Sequence, residues 1–577
     1  MPEEFVPADM DKRRSRRSPP STVRRTGHTA EAHTQPQCST STCSAPIRAA
    51  TRCVLLDASP YDARATAERS RNGGRTQCSF HAMRASPFSP RSREPTRPDV
   101  YHRVHGRSHE TQELVRESQR RRYKRVEDVD DVIALDAKWR DARWELDQAN
   151  SEFNKANKAV SALKRAGEDA EEAIKQVAAV KAKIAVLVEA EKEAETATNA
   201  CLHKIGNIVH DSVPVSDDEE NNVVYRSFGL EHKRMEENLP NHVDLIAMLD
   251  IADTERGTDV AGGRGYYLKG AGVLLNQAMI NYALSFLAQR GHTPLATPFF
   301  MRKDRMAECA QLADFDEQLY KVSGEGEDKY LIATSEQTCC SYLRKQWMQP
   351  KDLPVRLAGY STCFRKEAGS HGRDTLGIFR VHQFEKVEQF VAVDCDGDAS
   401  WEEMERLLKN SEDFYQSLGI PYHVVNIVSG ELNDAAAKKY DLEAWFPSSK
   451  TFRELVSCSN CTDFQSRRLE VRCGAPSKGP EKKKAYVHLL NSTLTATERS
   501  LCCLIENWQT PDGLVVPPAL RPFMMGIEFV PFVRKLDKKG KLVDVSPPPP
   551  PLFTPEHDAA GAAKTAGELI AEMNLGA

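Results

Sequence analysis

The chain has 577 residues, which is too long for one ordinary domain and predicts roughly two to four. Charges nearly cancel, with 79 Lys and Arg against 83 Asp and Glu, so a nucleic-acid partner would have to meet local basic patches. No apolar run approaches the roughly 20 residues that span a bilayer, and residues 1–4 do not begin a basic and hydrophobic leader. We therefore predict a soluble, intracellular protein with no membrane partner.

The 15 cysteines are spread along the chain without the density of a small secreted disulfide scaffold, so we expect reduced thiols. Cys458 and Cys461 form a CxxC pair, but no second CxxC or His pair lies at zinc-finger spacing. We expect no zinc there.

Residues 1–108 are rich in Arg, Ser, Pro, Thr and His and show no apolar periodicity, which predicts a disordered or extraneous extension. It could be an organelle presequence, a nucleic-acid-binding tail, or translated sequence outside the working protein. The acidic first residues argue against a presequence, and the change in composition after Glu110 favours the third interpretation. Cytoplasm is then the expected compartment, with mitochondrion or plastid as the alternative. We expect truncation before Glu110 to leave activity intact.

Apolar residues alternate in steps of three and four from Val132 to Leu163, which is typical of a coiled-coil seam. Gly167 interrupts the pattern, and a second apolar series runs from Ala173 to Ile208. Two helices of similar length joined by a short turn predict an antiparallel hairpin in residues 109–222. Its interleaved lysines and acids normally indicate only a solvated surface, but a projecting hairpin buries little of itself and suits a long partner.

A globular domain is predicted for residues 223–543. Gly262 to Leu268 contains a glycine cluster, but the strand, third glycine and distal acid of a dinucleotide fingerprint are missing. Residues 272–289 have helical apolar spacing, and Thr297-Pro298-Phe299-Phe300 predicts a kinked edge strand. This helix and strand could form a dimer surface, and a core helix is an equally good interpretation.

Polar side chains of the predicted domain come from separate segments. Thr334-Ser335-Glu336 follows a strand-like run at 330–333 and offers hydroxyls and a carboxylate to an ammonium group. Glu454-Leu455-Val456-Ser457 contains hard oxygen ligands that suit magnesium.

Asn491 and Thr493 lie two apart on a predicted strand at 488–495 and would share one face. Thr497 is predicted to cap a helix that carries Arg499 in its first turn.

Arg365 and Glu367, then a glycine-rich turn ending at Thr375, then Arg380, Phe384 and Glu388 predict two strands joined by a loop. Alternate residues share a face, so two guanidiniums, two carboxylates and one ring would meet in one pocket. Guanidiniums bind phosphate, carboxylates bind amines, and a ring stacks on a base. The pattern therefore indicates a nucleoside triphosphate beside an amino compound, although a salt-bridged surface hairpin would explain any single pair.

The ordered run Arg-x-Glu, loop, Arg-x-His-Gln-Phe-x-x-x-Glu resembles the second signature motif of class II aminoacyl-tRNA synthetases, in the form used by seryl-tRNA synthetases. The segment from Leu490 to Gln509 resembles the third motif, and Thr297-Pro298 resembles the end of the first. The resemblance spans roughly residues 114–534. It implies an α+β fold: a helical hairpin arm followed by a homodimeric catalytic domain with an antiparallel sheet flanked by helices.

The resemblance also implies the roles of individual residues. The catalytic residues would be Arg365, Arg499 and Glu454. The ATP site would comprise Arg365 on the α-phosphate, Glu367 on the adenine amino group, Phe384 on the adenine face, Arg380 and Arg499 on the distal phosphates, together with Val381, Glu454, Leu455, Val456 and Ser457. The serine site would comprise Thr334, Ser335, Glu336, Arg365, Glu388, Asn491 and Thr493. Glu454 and Ser457 would hold Mg²⁺ with the ATP.

The expected function is ATP-dependent activation of L-serine and its transfer to tRNA(Ser), bound through the helical arm, with tRNA(Sec) as a second substrate. The alternatives are a class II ligase for threonine, proline or glycine, a non-catalytic tRNA-binding scaffold that keeps the fold, and a coiled-coil structural protein. Residues 544–577 would form a Pro-rich linker and tail, with a short helix at 559–575.

Overall fold

The computed structural model describes residues 109–310, 318–324, 326–367, 376–474 and 485–552, all within one compact unit. The extension 1–108, the glycine-rich turn at 368–375 and the predicted helix at 559–575 lie outside these residues.

Helices and strands alternate along the described chain. The helices are α1 (His109–Arg121), α2 (Glu127–Ala166), α3 (Glu171–Leu202), α4 (His242–Leu249), α5 (Thr254–Ala261), α6 (Ala271–Ala288), α7 (Lys303–Cys309), α8 (Ser335–Tyr342), α9 (Ala399–Ser417), α10 (Phe464–Arg468) and α11 (Thr497–Trp508). The strands are β1 (Val223–Phe228), β2 (Ala252–Asp253), β3 (Tyr267–Leu268), β4 (Thr293–Ala296), β5 (Phe300–Arg302), β6 (Lys321–Val322), β7 (Lys329–Leu331), β8 (Trp347–Met348), β9 (Val355–Phe364), β10 (Gln383–Val393), β11 (Tyr422–Asn426), β12 (Lys438–Phe446), β13 (Thr451–Asn460), β14 (Arg472–Cys473), β15 (Ala485–Tyr486), β16 (His488–Ala496), β17 (Gly513–Val515), β18 (Phe529–Pro531), β19 (Arg534–Leu536) and β20 (Leu542–Asp544).

Helices α2 and α3 form the predicted antiparallel arm. Seam residues such as Leu146 and Ala149 are buried, whereas most residues between seam positions are exposed. Gly167 ends α2 in the left-handed conformation, with φ 76°, which a residue without a Cβ adopts at little cost. The Trp139 indole N–H donates to Glu191 across the seam at 3.2 Å. At 40 residues, α2 is about 60 Å long.

The end of the second apolar series differs from the prediction, because α3 stops at Leu202 and leaves Ile205 and Ile208 beyond it. There the chain bonds to the globular domain instead, with the Asn207 N–H donating to the Asp434 carbonyl at 2.7 Å. Ile205 still packs at the root of the arm, in an apolar cluster with Val115 from α1. The periodicity therefore continues past the helix because the cluster, not the helix, requires apolar residues.

Arg122, just after α1, joins the first helix to the globular domain. Its side chain is 2% exposed, and its guanidinium donates to the carbonyls of Asn207 at 2.9 Å, Asn433 at 3.0 Å and Ala436 at 2.5 Å. Burial lowers the pKa of Arg122 to about 10, so the group stays charged at neutral pH. The cation thus satisfies carbonyls from two distant segments.

The globular domain is built on an eight-stranded sheet in the order β1-β11-β12-β13-β16-β10-β9-β4. Neighbouring strands are antiparallel except β4, which runs parallel to β9. Helices α6, α9 and α11 cover one face with the largest apolar cluster. The opposite face of the central strands carries polar side chains.

Helix α6 is a core helix, with Leu275, Met279, Ala283 and Phe286 buried. Its length and apolar composition would suffice to cross a bilayer, but 56% of it lies buried inside the fold, as a core helix requires. The predicted strand at 297–300 is wrong in detail: β4 ends at Ala296 and β5 begins at Phe300, because Pro298 has no N–H to donate to a ladder.

Two shorter predictions concern the ends of segments. The strand predicted at 330–333 is β7, which ends at Leu331. The proline run at 547–551 lies beyond the last strand, β20, and contains neither helix nor strand.

We predict that Arg122→Ala lowers the free energy of unfolding by about 2–4 kcal/mol, because it leaves several buried carbonyls without a donor. Chemical denaturation measures the change. Arg120→Ala is the matched control, since that arginine is 47% exposed and its ion pairs within the described residues are with exposed Glu113 and Glu117. Equal stability of the two variants would contradict the proposed docking role of Arg122.

Candidate active site

The register of the central strands places the predicted polar residues on one face of the sheet. Glu388 of β10 lies opposite Thr493 of β16, and Asn491 lies opposite Phe390 two positions along. Directly paired residues of antiparallel strands point to the same side. The shared face predicted for Asn491 and Thr493 is therefore confirmed, and Phe384 and Glu388 share it.

A β-bulge brings Glu454 and Ser457 to this same face. They are three residues apart on β13, so a regular strand would point them to opposite sides. The register shifts, however, with Ser457 opposite Asp441, Val456 opposite Leu442, and Glu454 opposite Glu443. The extra residue, Leu455, reverses the alternation and allows both oxygen ligands to face one site.

An open cavity with about 530 Å³ of empty space lies over this face. Its wall contains eight of the residues predicted for ATP: Arg365, Glu367, Arg380, Val381, Phe384, Glu454, Leu455 and Arg499. Val456 and Ser457 are not in the wall. Val456 is fully buried and belongs to the apolar cluster behind the sheet.

Three guanidiniums converge on the cavity. Burial lowers the pKa of Arg499, and the positive charges of Arg365 and Arg380 also lower it. The carboxylate of Glu454 raises this pKa, but the net shift is downward. Nε of Arg380 is buried and makes no hydrogen bond within the described residues. Nη1 of the same guanidinium lies 3.9 Å from Oε2 of Glu367. This excess of positive charge suits a polyanion.

Only part of the predicted strand pairing at this motif is correct. Strand β9 ends at Phe364 and β10 begins at Gln383, so Arg365, Glu367 and Arg380 lie outside the strands. The Arg365 N–H donates to the His382 carbonyl at 2.9 Å, which keeps the segments paired just past the ladder. Glu367 has φ 49°, so the chain leaves the extended conformation there. The side chains therefore meet through turn geometry rather than strand alternation.

Phe384 offers a partly buried ring to the cavity, with the Arg365 guanidinium carbon 5.3 Å from its centroid. Across the cavity, Arg499 Nη1 lies 3.5 Å from Glu454 Oε2, and the Glu454 side chain is 47% exposed. Loss of hydration alone would raise the pKa of Glu454, but Arg499 and then Lys439 lower it overall. Glu454 is therefore an ionised carboxylate that is open to the cavity.

The residues predicted for serine form a second layer, in which Ser335, Glu388, Asn491 and Thr493 are buried and Thr334 and Glu336 are half-buried. Only Arg365 and Thr493 of that set line the cavity. Burial raises the pKa of both Glu336 and Glu388, and Glu388 raises that of Glu336 further, so two carboxyl groups lie near each other without full hydration. Asn491 is also buried and donates to the Cys461 thiol at 3.7 Å. This layer suits a small cationic group.

Helix α8 positions the start of the serine set. The Thr334 hydroxyl caps the helix by accepting from the Glu336 N–H at 3.3 Å. The Ser335 hydroxyl donates to the Gly359 carbonyl of β9 at 3.1 Å, so it anchors the helix to the sheet. A Cβ on Gly359 would lie 2.8 Å from the Cys339 sulfur, which explains why the close approach of α8 requires glycine.

The structure adds Lys386, which the sequence interpretation omitted. It lines the cavity, is 7% exposed, and its ammonium group forms an ion pair with Glu388. The sequence could have indicated Lys386, because it lies midway between Phe384 and Glu388 and alternate strand residues share a face.

Glu498 is a second addition to the cavity wall. Its carboxyl accepts from the Tyr266 hydroxyl at 2.7 Å and from the Glu385 N–H at 3.1 Å. Burial, and then the negative charge of Glu385, raise the pKa of Glu498 to about 8. Residue order alone gave no sign of this group, since Tyr266 is more than 200 positions away in the chain.

Two smaller predictions concern Thr497 and the cysteines. Thr497 is the first residue of α11 rather than its cap, and its hydroxyl contacts the Glu498 carboxyl at 3.0 Å. Arg499 does lie in the first turn. The thiols of the CxxC pair have different partners, with Cys458 at 3.8 Å from the Met404 carbonyl and Cys461 beside Asn491.

Known families match both parts of the described chain. A family model described as the seryl-tRNA synthetase N-terminal domain matches residues 109–209, and one described as the class II tRNA synthetase core domain (G, H, P, S and T) matches residues 320–508. A serine–tRNA ligase of Helianthus annuus is 61% identical over 426 residues, which cover 74% of this chain and 97% of the relative. The chain belongs to the seryl-tRNA synthetase family.

Two further relatives agree with the family. A cytoplasmic serine–tRNA ligase of Arabidopsis thaliana is 59% identical over 435 residues, covering 74% of this chain and 96% of the relative. The crystal structure of the Pyrococcus horikoshii seryl-tRNA synthetase complexed with ATP is 37% identical, with a TM-score of 0.66, and covers 76% of this chain and all of that one. Membership makes the chain a class II aminoacyl-tRNA ligase with serine and tRNA as substrates, and its α+β fold is the one expected.

We predict that Glu498→Gln removes one pH dependence of stability. With a folded pKa of about 8 against a usual value near 4.5, the folded carboxyl keeps a proton that the unfolded chain releases. This stabilisation is full below pH 4.5 and is lost as pH rises through 8, with a slope of at most about 1.4 kcal/mol per pH unit. Glutamine cannot titrate, so the variant should show a flatter profile.

Denaturation midpoints from pH 5 to 8.5 measure that slope. Glu231→Gln, at a carboxylate whose side chain is 71% exposed, is the control. Identical slopes in Glu498→Gln and the parent protein would show that the carboxyl is already ionised in the folded state.

Proposed function

We propose that this ligase activates L-serine with ATP and transfers it to tRNA(Ser) through a seryl-adenylate. The observation that carries the proposal is the two-layer site, in which three guanidiniums line an open cavity above two carboxyl groups, buried Glu388 and half-buried Glu336. The upper layer matches a triphosphate, and the lower layer matches the ammonium and hydroxyl groups of serine. A non-catalytic scaffold would need neither layer.

We assign the residue roles from the family resemblance, and the presence of the adenine- and phosphate-binding candidates in the cavity wall supports them. Arg365, at the junction of the layers, binds the α-phosphate and the serine carboxylate. Phe384 stacks on adenine, and Glu367 accepts from its amino group. Arg380 and Arg499 bind the distal phosphates. Beneath them, Glu388, Glu336, Asn491 and Thr493, with Thr334 and Ser335 at the start of α8, surround serine.

The donor set of Glu454 and Ser457 fits Mg²⁺. An ionised carboxylate and a hydroxyl on one face offer hard oxygen ligands, and most remaining positions would go to ATP and water. When bound, the ion neutralises phosphate charge. Nothing in the described cavity wall offers a thiolate for zinc.

The chemistry proceeds in two displacements. A serine carboxylate oxygen attacks the α-phosphorus while pyrophosphate leaves from the opposite side. A hydroxyl of the terminal tRNA ribose then attacks the serine carbonyl carbon, loses its proton, and AMP departs. The arginines hold the reacting groups in line and stabilise charge on phosphate, so no covalent protein intermediate is required.

The arm is proposed to bind tRNA outside the acceptor end. Its long helices expose lysines and acids in alternation, and such a surface can follow a nucleic-acid backbone only through local basic contacts. tRNA(Sec) is included as a second substrate.

We further propose a homodimer, a cytoplasmic location, and module limits of 109–222 for the arm and 223–543 for the catalytic domain. The cytoplasmic relatives support the location, and the match at residues 109–209 supports the arm as a module.

ATP–pyrophosphate exchange tests the adenylation step. We expect exchange with serine but not with threonine, alanine, glycine or proline. Arg365→Ala should lower the rate about 100- to 1,000-fold, because one charge-stabilising donor is removed. Arg256→Ala is the control, since that arginine is 81% exposed on α5. Serine exchange that survives Arg365→Ala unchanged would refute the assigned role, and no exchange with any amino acid would favour the scaffold.

The arm is tested by shortening both of its helices. Replacing residues 150–183 with a tight turn should leave serine-dependent exchange intact, because the catalytic layers are untouched. The same change should abolish aminoacylation of tRNA(Ser), because the proposed tRNA-binding surface is removed. The measurement compares both reactions on one preparation. Normal aminoacylation by the shortened protein would contradict tRNA binding through the arm.

A further inference from the structure

Lys386 lies at the boundary between the two layers of the site. Its ammonium group forms an ion pair with Glu388 and lies 3.4 Å from the Thr493 hydroxyl, and Thr493 itself lies 3.5 Å from the Glu388 carboxylate. Lys386 lines the open cavity, whereas Glu388 lies beneath it and is 1% exposed. A buried lysine loses hydration and side-chain freedom, so its place here calls for a reason.

The reason lies in the charge of the lower layer. Glu388 is buried and Glu336 is half-buried, and two poorly hydrated carboxylates close together do not ionise fully without a cation. The Glu336 carboxylate accepts from the neutral amide of Gln465 at 2.8 Å, which brings no positive charge. Lys386 and Arg365 are the cations that act on Glu388, and Lys386 is the one in contact with it.

The remaining groups near Glu388 do not supply positive charge. Burial and the nearby carboxylates raise the pKa of Cys339, so its thiol stays neutral. Thr493 offers only a hydroxyl. Arg365 lies at the cavity wall and is assigned to the substrate carboxylate and phosphate.

We propose that Lys386 is the fixed counter-ion of the serine pocket: it holds Glu388 ionised and aimed, and leaves the pocket one net negative charge for the ammonium group of serine. Two carboxylates and one lysine sum to a charge of minus one, which a single substrate ammonium group neutralises. Lys386 is thus a positioning residue that acts through Glu388. The inference rests on the proposed serine site.

Removal of the lysine should change how serine binding depends on protons. In Lys386→Met the pocket has two carboxyl groups and no ammonium group, so one of them takes up a proton at neutral pH. The pocket then has the same net charge as in the parent protein, but the protonated carboxyl donates where serine also donates, so serine binds only as that proton leaves. Because the carboxyl pKa rises, the fall of kcat/KM for serine at low pH moves to higher pH, whereas in the parent protein Lys386 lowers the pKa of Glu388 and the fall lies at lower pH.

Calorimetry of serine binding in two buffers with different ionisation enthalpies counts these protons. Near pH 7 we expect almost no proton release by the parent protein and release approaching about one proton by Lys386→Met. Exchange kinetics should show serine KM raised on the order of 10- to 100-fold, as for loss of a charged hydrogen bond, with ATP KM nearly unchanged. Lys386→Arg should restore part of the serine affinity and the low proton release.

Two controls separate this inference from general damage. Lys409→Met removes a lysine from an exposed pair with Asp413 and should match the parent protein in every measurement. Thermal melting and ATP KM report whether Lys386→Met is folded; if that variant does not fold, Lys386→Gln is measured in its place.

The outcomes are distinct from those of the proposed function. Failure of the parent protein to exchange pyrophosphate with serine would overturn the serine site itself. Serine-dependent exchange by the parent, together with unchanged serine KM and unchanged proton release in Lys386→Met, would overturn the counter-ion role alone. A rise in serine KM without proton release would assign Lys386 to packing and also overturn it.

Discussion

The antiparallel register of β10, β16 and β13 is the constraint on which the site depends. Pairing Glu388 with Thr493 and Ser457 with Asp441 points these side chains to the face that the core helices leave open. A one-residue slip of any of these strands would turn its polar residues into the apolar cluster behind the sheet. The large core therefore does more than stabilise the domain, because it fixes which residues face the cavity.

Charge divides the site into an upper layer at the open cavity and a lower layer beneath it. Guanidiniums from the turn after β9, the turn before β10 and the start of α11 collect around the open cavity, while carboxyl groups lie beneath. Each layer is unfavourable when empty, since like charges repel at low hydration. Under the proposed function, ATP neutralises the upper layer and serine the lower one, and each substrate is recognised by the charge it neutralises. Lys386 lies where the layers meet.

Much of this arrangement could be predicted from residue spacing. Period-two alternation correctly grouped Phe384 with Glu388 and Asn491 with Thr493, because regular strands obey it. The heptads predicted the arm, since its helices contact mainly each other. The same rule failed for Arg365 and Arg380, which lie in turns past the strand ends. Their convergence depends on tertiary contacts that no local pattern contains.

Other features needed the structure for definite physical reasons. The bulge at Leu455 is a defect in alternation and leaves no periodic signal. The raised pKa of Glu498 depends on burial and on the negative charge of Glu385, which lies on a strand more than 100 positions away in the chain. Arg122 looks like any basic residue after a helix, yet it joins two modules through carbonyls more than 300 positions away.

A crystal structure with a non-hydrolysable seryl-adenylate analogue would test the two-layer site most directly. The account predicts adenine against Phe384, the phosphate-mimicking group at Arg365, and the serine ammonium and hydroxyl groups within hydrogen-bond distance of Glu336, Glu388 or Thr493. An aminoacyl group lying in the open cavity above Lys386, with Glu336 and Glu388 untouched, would contradict it.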